Sequence, residues 1–145
     1  DTFGETDKSV LGLNQVLGSE DQQALEALTI LIALREWSHH WTATRLVLTI
    51  RTDNIAALTM VARMQPRSKQ LAIVARELAL DVARAAYTPD IVEHIPGVSN
   101  IAADSLSRIK DPTKSVAIPA YLASVPRHTC TVRDRSWWKA LPAEP

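Results

Sequence analysis

The sequence predicts an α/β fold in which parallel strands are joined by crossover helices. Two strand-like apolar segments, RLVLTIRTDN and DIVEH, are separated by two segments with helical periodicity, and a further helix precedes the first strand. Parallel strands need a long crossover connection, which a helix usually supplies. At 145 residues the chain can form one domain with its own core.

The N-terminal residues 1–18 have no clean period and contain three of the four glycines, so we expect an irregular lead-in. The following run SEDQQALEALTILIALREW predicts a helix from about Glu20 to Trp37. Ser19 and Gln22 have the spacing of a capping box, and acidic side chains follow Ser19 at the positive end of the helix dipole.

The first strand carries apolar side chains on both faces, which is typical of a strand in the middle of a sheet. A short helix is expected from Ile55 to Arg63, ending before Pro66. A longer amphipathic helix is expected from Arg67 to Ala86, with a stripe formed by Leu71, Ala75, Leu78, Val82 and Ala85.

The second strand is expected at about Asp90 to His94, followed by the turn Ile95-Pro96-Gly97. Asn100 or Ser99 can cap a last helix that runs to Arg108. Five of the eight prolines lie after Asp111, together with Trp137 and Trp138. Residues 111–145 therefore form a proline-rich tail, which either anchors a larger complex or covers the core of its own domain.

Composition excludes several classes of function. Sixteen basic and sixteen acidic residues cancel, so attraction to nucleic acid would require a local basic patch. One cysteine excludes an internal disulfide framework and indicates a reducing, intracellular compartment, the cytoplasm or the nucleus. The longest apolar run, residues 27–34, is too short to cross a membrane.

Two acidic residues stand where catalytic groups are often found. Asp53 directly follows the apolar part of the first strand, and the carboxyl ends of parallel strands collect ligand sites. It could equally close the strand and cap a helix. Glu26 shares a helix face with the apolar residues Ile30, Ala33 and Trp37. A carboxylate on such a face must form an ion pair, bind a metal or reach out to solvent.

Two further candidates lie in the segment VEHIPGVSNIAADSLSR. Asp104 falls in the first turn of the last helix, where it could form a salt bridge with Arg108. His94 ends the second strand and could be a packed or surface residue. Taken together, the three carboxylates could converge on one cleft and hold Mg²⁺ or Mn²⁺, while His94 assists proton transfer.

These segments resemble the ribonuclease H domain of retroelement reverse transcriptases. The resemblance covers about Gln22 to Arg108, and its most specific part has the pattern H-x-P-G-x-x-N-x-x-A-D-x-L-S-R. It implies a ribonuclease H-like mixed sheet in residues 19–110 and two-metal hydrolysis of the RNA strand of RNA/DNA hybrids. Glu26, Asp53 and Asp104 would be metal ligands, and His94 would be the loop histidine.

One part of the family pattern is missing. The family's first aspartate lies on a strand before the first helix, and the residues preceding Glu20 are too few for three strands. Asp1 and Asp7 are the acidic candidates there, but we expect residues 1–18 to be the end of the third strand and its loop. The sheet would then have an open edge for an upstream reverse transcriptase domain or another protein.

Three hypotheses follow from the sequence. The first is a ribonuclease H-like nuclease whose missing aspartate is supplied by an upstream segment. The second is a catalytically inactive ribonuclease H-like module that binds nucleic acid or protein, with phosphate contacts expected at Asn54, Arg63, Arg67 and Lys69. The third is an assembly subunit that is anchored through the tail.

Overall fold

The computed structural model describes residues 2–41, 46–84 and 87–141. Within these ranges, five α-helices accompany a parallel sheet of two strands. The elements in chain order are α1 (Glu5–Leu11), α2 (Ser19–Glu36), β1 (Leu46–Thr52), α3 (Ile55–Arg63), α4 (Lys69–Arg84), β2 (Tyr87–His94) and α5 (Ile101–Ser107). The predicted α/β class with parallel strands is confirmed at this level.

Helix α2 agrees with its predicted bounds to within one residue at each end. The residue at the N-cap is Gly18, whose backbone N–H donates to the Asp21 carboxylate at 2.9 Å, so the predicted capping box is displaced by one residue. The buried face differs from the predicted stripe, because Trp37 is 51% exposed. The residues that α2 buries in the core are Ala24, Ala27, Leu28, Leu31, Ile32 and Leu34.

The two strands pair in parallel from Leu46 opposite Tyr87 to Thr52 opposite His94, with an irregularity between Val47 and Thr49. Pro89 lies opposite this irregularity, where the lack of a backbone N–H is tolerated. The prediction that β1 is buried on both faces is wrong for the described residues. Val47 is 65% exposed, whereas Leu48 and Ile50 pack against the core, so β1 is covered on one face only.

Helices α3 and α4 form the crossover that joins the two strands. Helix α3 has the predicted bounds and contacts both strands, and α2 packs against α3 and α4. Helix α4 buries Leu71, Ala75 and Leu78 of the predicted stripe, while the predicted position Ala85 lies outside the described residues. Helix α3 therefore covers the sheet, and α2 and α4 pack against α3 and against each other.

The predicted irregular lead-in is wrong for residues 5–11, which form α1, and these residues are not the end of a strand. Asp7 accepts a hydrogen bond from the Gly4 backbone at 3.0 Å, and Gly12 ends the helix with a left-handed φ of 63°. The glycines that suggested a loop thus flank a helix, in the positions where helix ends favour them. Asp1 lies outside the described residues.

The tail packs on its own domain. Trp138 is 3% exposed and belongs to the core, and Trp137 makes a T-shaped contact with it while the Arg35 guanidinium lies 4.2 Å from the Trp137 ring. Of the two alternatives left open by the sequence, the tryptophans cover the domain's own core.

Buried ion pairs hold the tail in place. Arg35 contacts Glu77 at 2.6 Å and also binds Asp81, and the backbone N–H groups of Lys139 and Ala140 donate to Glu77 at 2.9 and 2.6 Å. Earlier in the tail, Arg133 donates to the carboxylate of Asp7 at 3.0 Å, and Asp7 is only 1% exposed. The tail and α1 are therefore parts of one structural unit with the central helices.

In the described ranges, no helix combines the length and the apolar character that crossing a bilayer requires.

Candidate functional site

Glu26 and Asp53 lie close to each other at the carboxyl end of β1. Asp53 is the first residue after the strand, and the next residue, Asn54, caps α3 by accepting the Ala57 N–H at 2.9 Å. The Asn54 side chain also lies near Glu26 of α2 and favours the charged form of that carboxylate. The packing of α2 on α3 thus brings a helix carboxylate to a strand-end carboxylate.

The electrostatics of Glu26 reflect this proximity. Burial raises the pKa of Glu26 above its usual value, the negative charge of Asp53 raises it further, and hydrogen bonds from Asn54 and Gln22 oppose the rise. Two carboxylates that share a site repel unless a proton or a cation lies between them. The pair is therefore suited to bind a positive charge.

The loop after β2 closes the other side of Asp53. The Ile95 N–H donates to the Thr52 carbonyl at 3.1 Å, which holds the start of the loop against the end of β1. The Asn100 side-chain amide then donates to Asp53 at 3.2 Å. Asn100 was predicted as a helix cap and does occupy that position, but its side chain makes no cap hydrogen bond and contacts Asp53 instead.

Because Gly97 has no side chain, the loop after β2 can approach Asp53 closely. A Cβ atom at Gly97 would lie 3.4 Å from the Asp53 carboxylate, which is a tight contact. The sequence signalled the turn at Gly97 but not its contact with Asp53, because the residues are far apart in the chain.

Asp104 forms the predicted salt bridge with Arg108. Nε and Nη2 of Arg108 lie 2.8 and 2.6 Å from the same Asp104 oxygen, and both side chains are nearly half exposed. Among residues 2–41, 46–84 and 87–141, no three Asp, Glu, His or Cys side chains form a group that could hold a metal ion. The structure thus brings Glu26 and Asp53 together but does not group Asp104 or His94 with them.

His94 is exposed at the last position of β2 and lies opposite Thr52 in the strand register. This register places its backbone next to the residue that precedes Asp53. The prediction that His94 ends the second strand is confirmed, whereas its place in the site and its proton-transfer role stay predictions.

The predicted phosphate contacts fall into two groups. Arg63, Arg67 and Lys69 are exposed around the connection between α3 and α4. Asn54 differs from them, because its side chain caps α3 and lies near Glu26.

The site fits one divalent cation in part. The carboxylates of Glu26 and Asp53 offer hard oxygen ligands, and Mg²⁺ is often held by one or two carboxylates together with water and substrate phosphates. The fit does not extend to the two-ion set that the resemblance implies, since Asp104 is engaged by Arg108.

No family model, curated protein or solved structure shows a significant match to this chain. The likeness to ribonuclease H therefore depends on the quoted residues and on the arrangement of Glu26 and Asp53.

Proposed function

We propose that this chain is a ribonuclease H-like domain of retroelement origin that hydrolyses the RNA strand of RNA/DNA hybrids when its cation site is complete. The observation that supports this most directly is the proximity of Asp53 to Glu26, with Asn100 donating to Asp53. A helix carboxylate and a strand-end carboxylate at the carboxyl edge of a parallel sheet suit phosphodiester chemistry.

In this proposal Glu26 and Asp53 hold Mg²⁺ or Mn²⁺. A bound divalent cation supplies charge stabilisation at the phosphate and activates water. Asn54 orients Glu26, Asn100 orients Asp53, and His94 provides a proton-transfer group at the mouth of the site. An upstream strand bearing the family's first aspartate would complete the ligand set by pairing with the open edge of the sheet.

A second candidate is a catalytically inactive module that binds nucleic acid or assembles with a protein. The salt bridge between Asp104 and Arg108 favours it, because this pair removes one predicted metal ligand from the site. Exposed Arg63, Arg67 and Lys69 would then bind phosphates without chemistry. The tail is a poor anchor for a partner, since Trp138 is buried in the domain itself.

A calorimetric titration with Mg²⁺ and Mn²⁺ tests the proposal, beside a cleavage assay with a labelled RNA/DNA hybrid. Glu26→Gln and Asp53→Asn should abolish cation binding. Glu93→Gln removes a carboxylate from the exposed ion pair with Arg51 and should leave cation binding unchanged. Cleavage that needs both carboxylates supports the nuclease. Hybrid binding without cleavage, even after an Asp-bearing upstream segment is added, supports the inactive module.

A further inference from the structure

Away from Glu26 and Asp53, a cleft of about 480 Å³ lies between α5 and the first part of the tail. Its volume is in the range of small-molecule sites. Its polar and charged lining consists of Asp104, Ser105, Arg108, Lys114 and Ser115, and Val116 and Ala117 complete it. The cleft thus combines two cations and two hydroxyl groups beside an acidic residue that the resemblance places in the active site.

The charges favour an anion. The cleft lining carries two basic side chains, Arg108 and Lys114, and one acidic side chain, Asp104. A second acid nearby, Asp111, accepts from the Thr113 N–H at 2.9 Å and from its hydroxyl at 2.6 Å. These hydrogen bonds lower the pKa of Asp111, and the charges of Lys114 and Arg108 lower it further. The other acid, Asp104, is held by Arg108 alone through an exposed pair at i and i+4, which is a weak interaction in water.

A phosphate can replace Asp104 at Arg108. Arg108 binds a single oxygen of Asp104, whereas a phosphate offers several oxygens to the planar guanidinium. Lys114, which also lines the cleft, adds a second positive charge, and the hydroxyls of Ser105 and Ser115 can donate to the same group.

The location of the cleft connects it to the proposed site. The Asp104 N–H donates to the Asn100 carbonyl at 2.9 Å, so Asn100, Asp104 and Arg108 follow one another at helical spacing on one face. Asn100 contacts Asp53 at one end of this row, and the cleft lies at the other.

We propose that this cleft binds a phosphodiester group of a nucleic-acid strand through Arg108 and Lys114, and that the phosphodiester competes with Asp104 for Arg108. This inference rests on the proposed function for the identity of the ligand, and it makes the beginning of the tail a part of the substrate surface. Once released from Arg108, the Asp104 carboxylate is free to turn toward Asn100 and Asp53.

The test is an NMR titration with the thymidine dinucleotide TpT, which has one phosphodiester and no other charge, in buffer without divalent cations. Arg108→Gln and Lys114→Gln should each weaken binding about tenfold, as expected for the loss of a charge-assisted hydrogen bond. Asp104→Asn should strengthen binding several-fold, because it removes the competitor. Lys110→Gln and Glu93→Gln remove charges outside the cleft and should change the affinity less than twofold.

The proposal is overturned if Lys110→Gln weakens binding as much as Lys114→Gln, or if Asp104→Asn leaves the affinity unchanged. Absence of TpT binding to the wild-type chain overturns it as well. Since the titration contains no divalent cation, failure of the cation site at Glu26 and Asp53 would leave this result unaffected, and the two proposals fail separately.

Discussion

The buried carboxylate of Glu77 offers the sharpest test of how the tail is held. Glu77 is fully buried, and it receives hydrogen bonds from Arg35 and from the backbone N–H groups of Lys139 and Ala140. Replacing it by glutamine keeps the volume but removes the negative charge and puts an N–H₂ group where an acceptor oxygen stood. Arg35 and Lys139 would then share one carboxylate, that of Asp81.

The expected cost follows from these contacts. Breaking a buried ion pair and leaving a donor unpaired destabilises a fold by about 3–5 kcal/mol. At this chain length the loss corresponds to a fall in Tm of about 10 °C or more. We expect Glu77→Gln to show it in urea denaturation followed by circular dichroism, together with faster proteolysis of the tail.

The matched control is Glu93→Gln, which removes a carboxylate from the exposed pair with Arg51 and should cost less than about 1 kcal/mol. If the free energy of unfolding of Glu77→Gln lies within about 0.5 kcal/mol of the wild-type value, the expected contribution of the Glu77 contacts is refuted. The tail would then be held by apolar contacts, chiefly that of Trp138.

Three further predictions concern the same contacts. Because the pKa of Glu26 is raised in the folded state, that state binds the proton more tightly, and stability falls as pH rises above 4.5. Glu26→Gln should therefore be more stable than the wild type at pH 7 and equally stable below pH 4, as measured by thermal denaturation. At Glu36, burial raises the pKa, but hydrogen bonds from His128 and Thr131 outweigh it and lower the pKa overall. Glu36→Gln should therefore destabilise the chain at pH 7, and urea denaturation should show the difference disappearing as pH falls below 4.5. Trp138→Ala should lower the free energy of unfolding by about 3–5 kcal/mol. Trp138→Phe should lower it clearly less, because the buried indole N–H has no hydrogen-bond partner in the part of the chain that the structure describes. Equal losses for the two variants in urea denaturation would contradict this.

Local patterns predicted the central elements well. The acids after Ser19, the apolar run ending at Thr52 and the stripe through Leu71 and Leu78 are short-range signals, and the corresponding helices and strand form within a few residues of their expected bounds. The exposure of Val47 could not be predicted, because apolar residues on both faces of a strand do not state whether a second layer covers each face. Helix α1 was missed since glycines mark helix ends and loops alike.

The sequence by itself determined the α/β class, the order of the crossover helices and the position of Asp53 at a strand end, because these depend on propensity and periodicity within short windows. Tertiary structure decided which distant groups meet. It placed Glu26 beside Asp53, turned the Asn100 side chain from capping to Asp53, and paired Asp7 with Arg133 across almost the whole chain. Such contacts depend on how helices and tail pack around a shared core, and spacing along the chain carries no record of that packing.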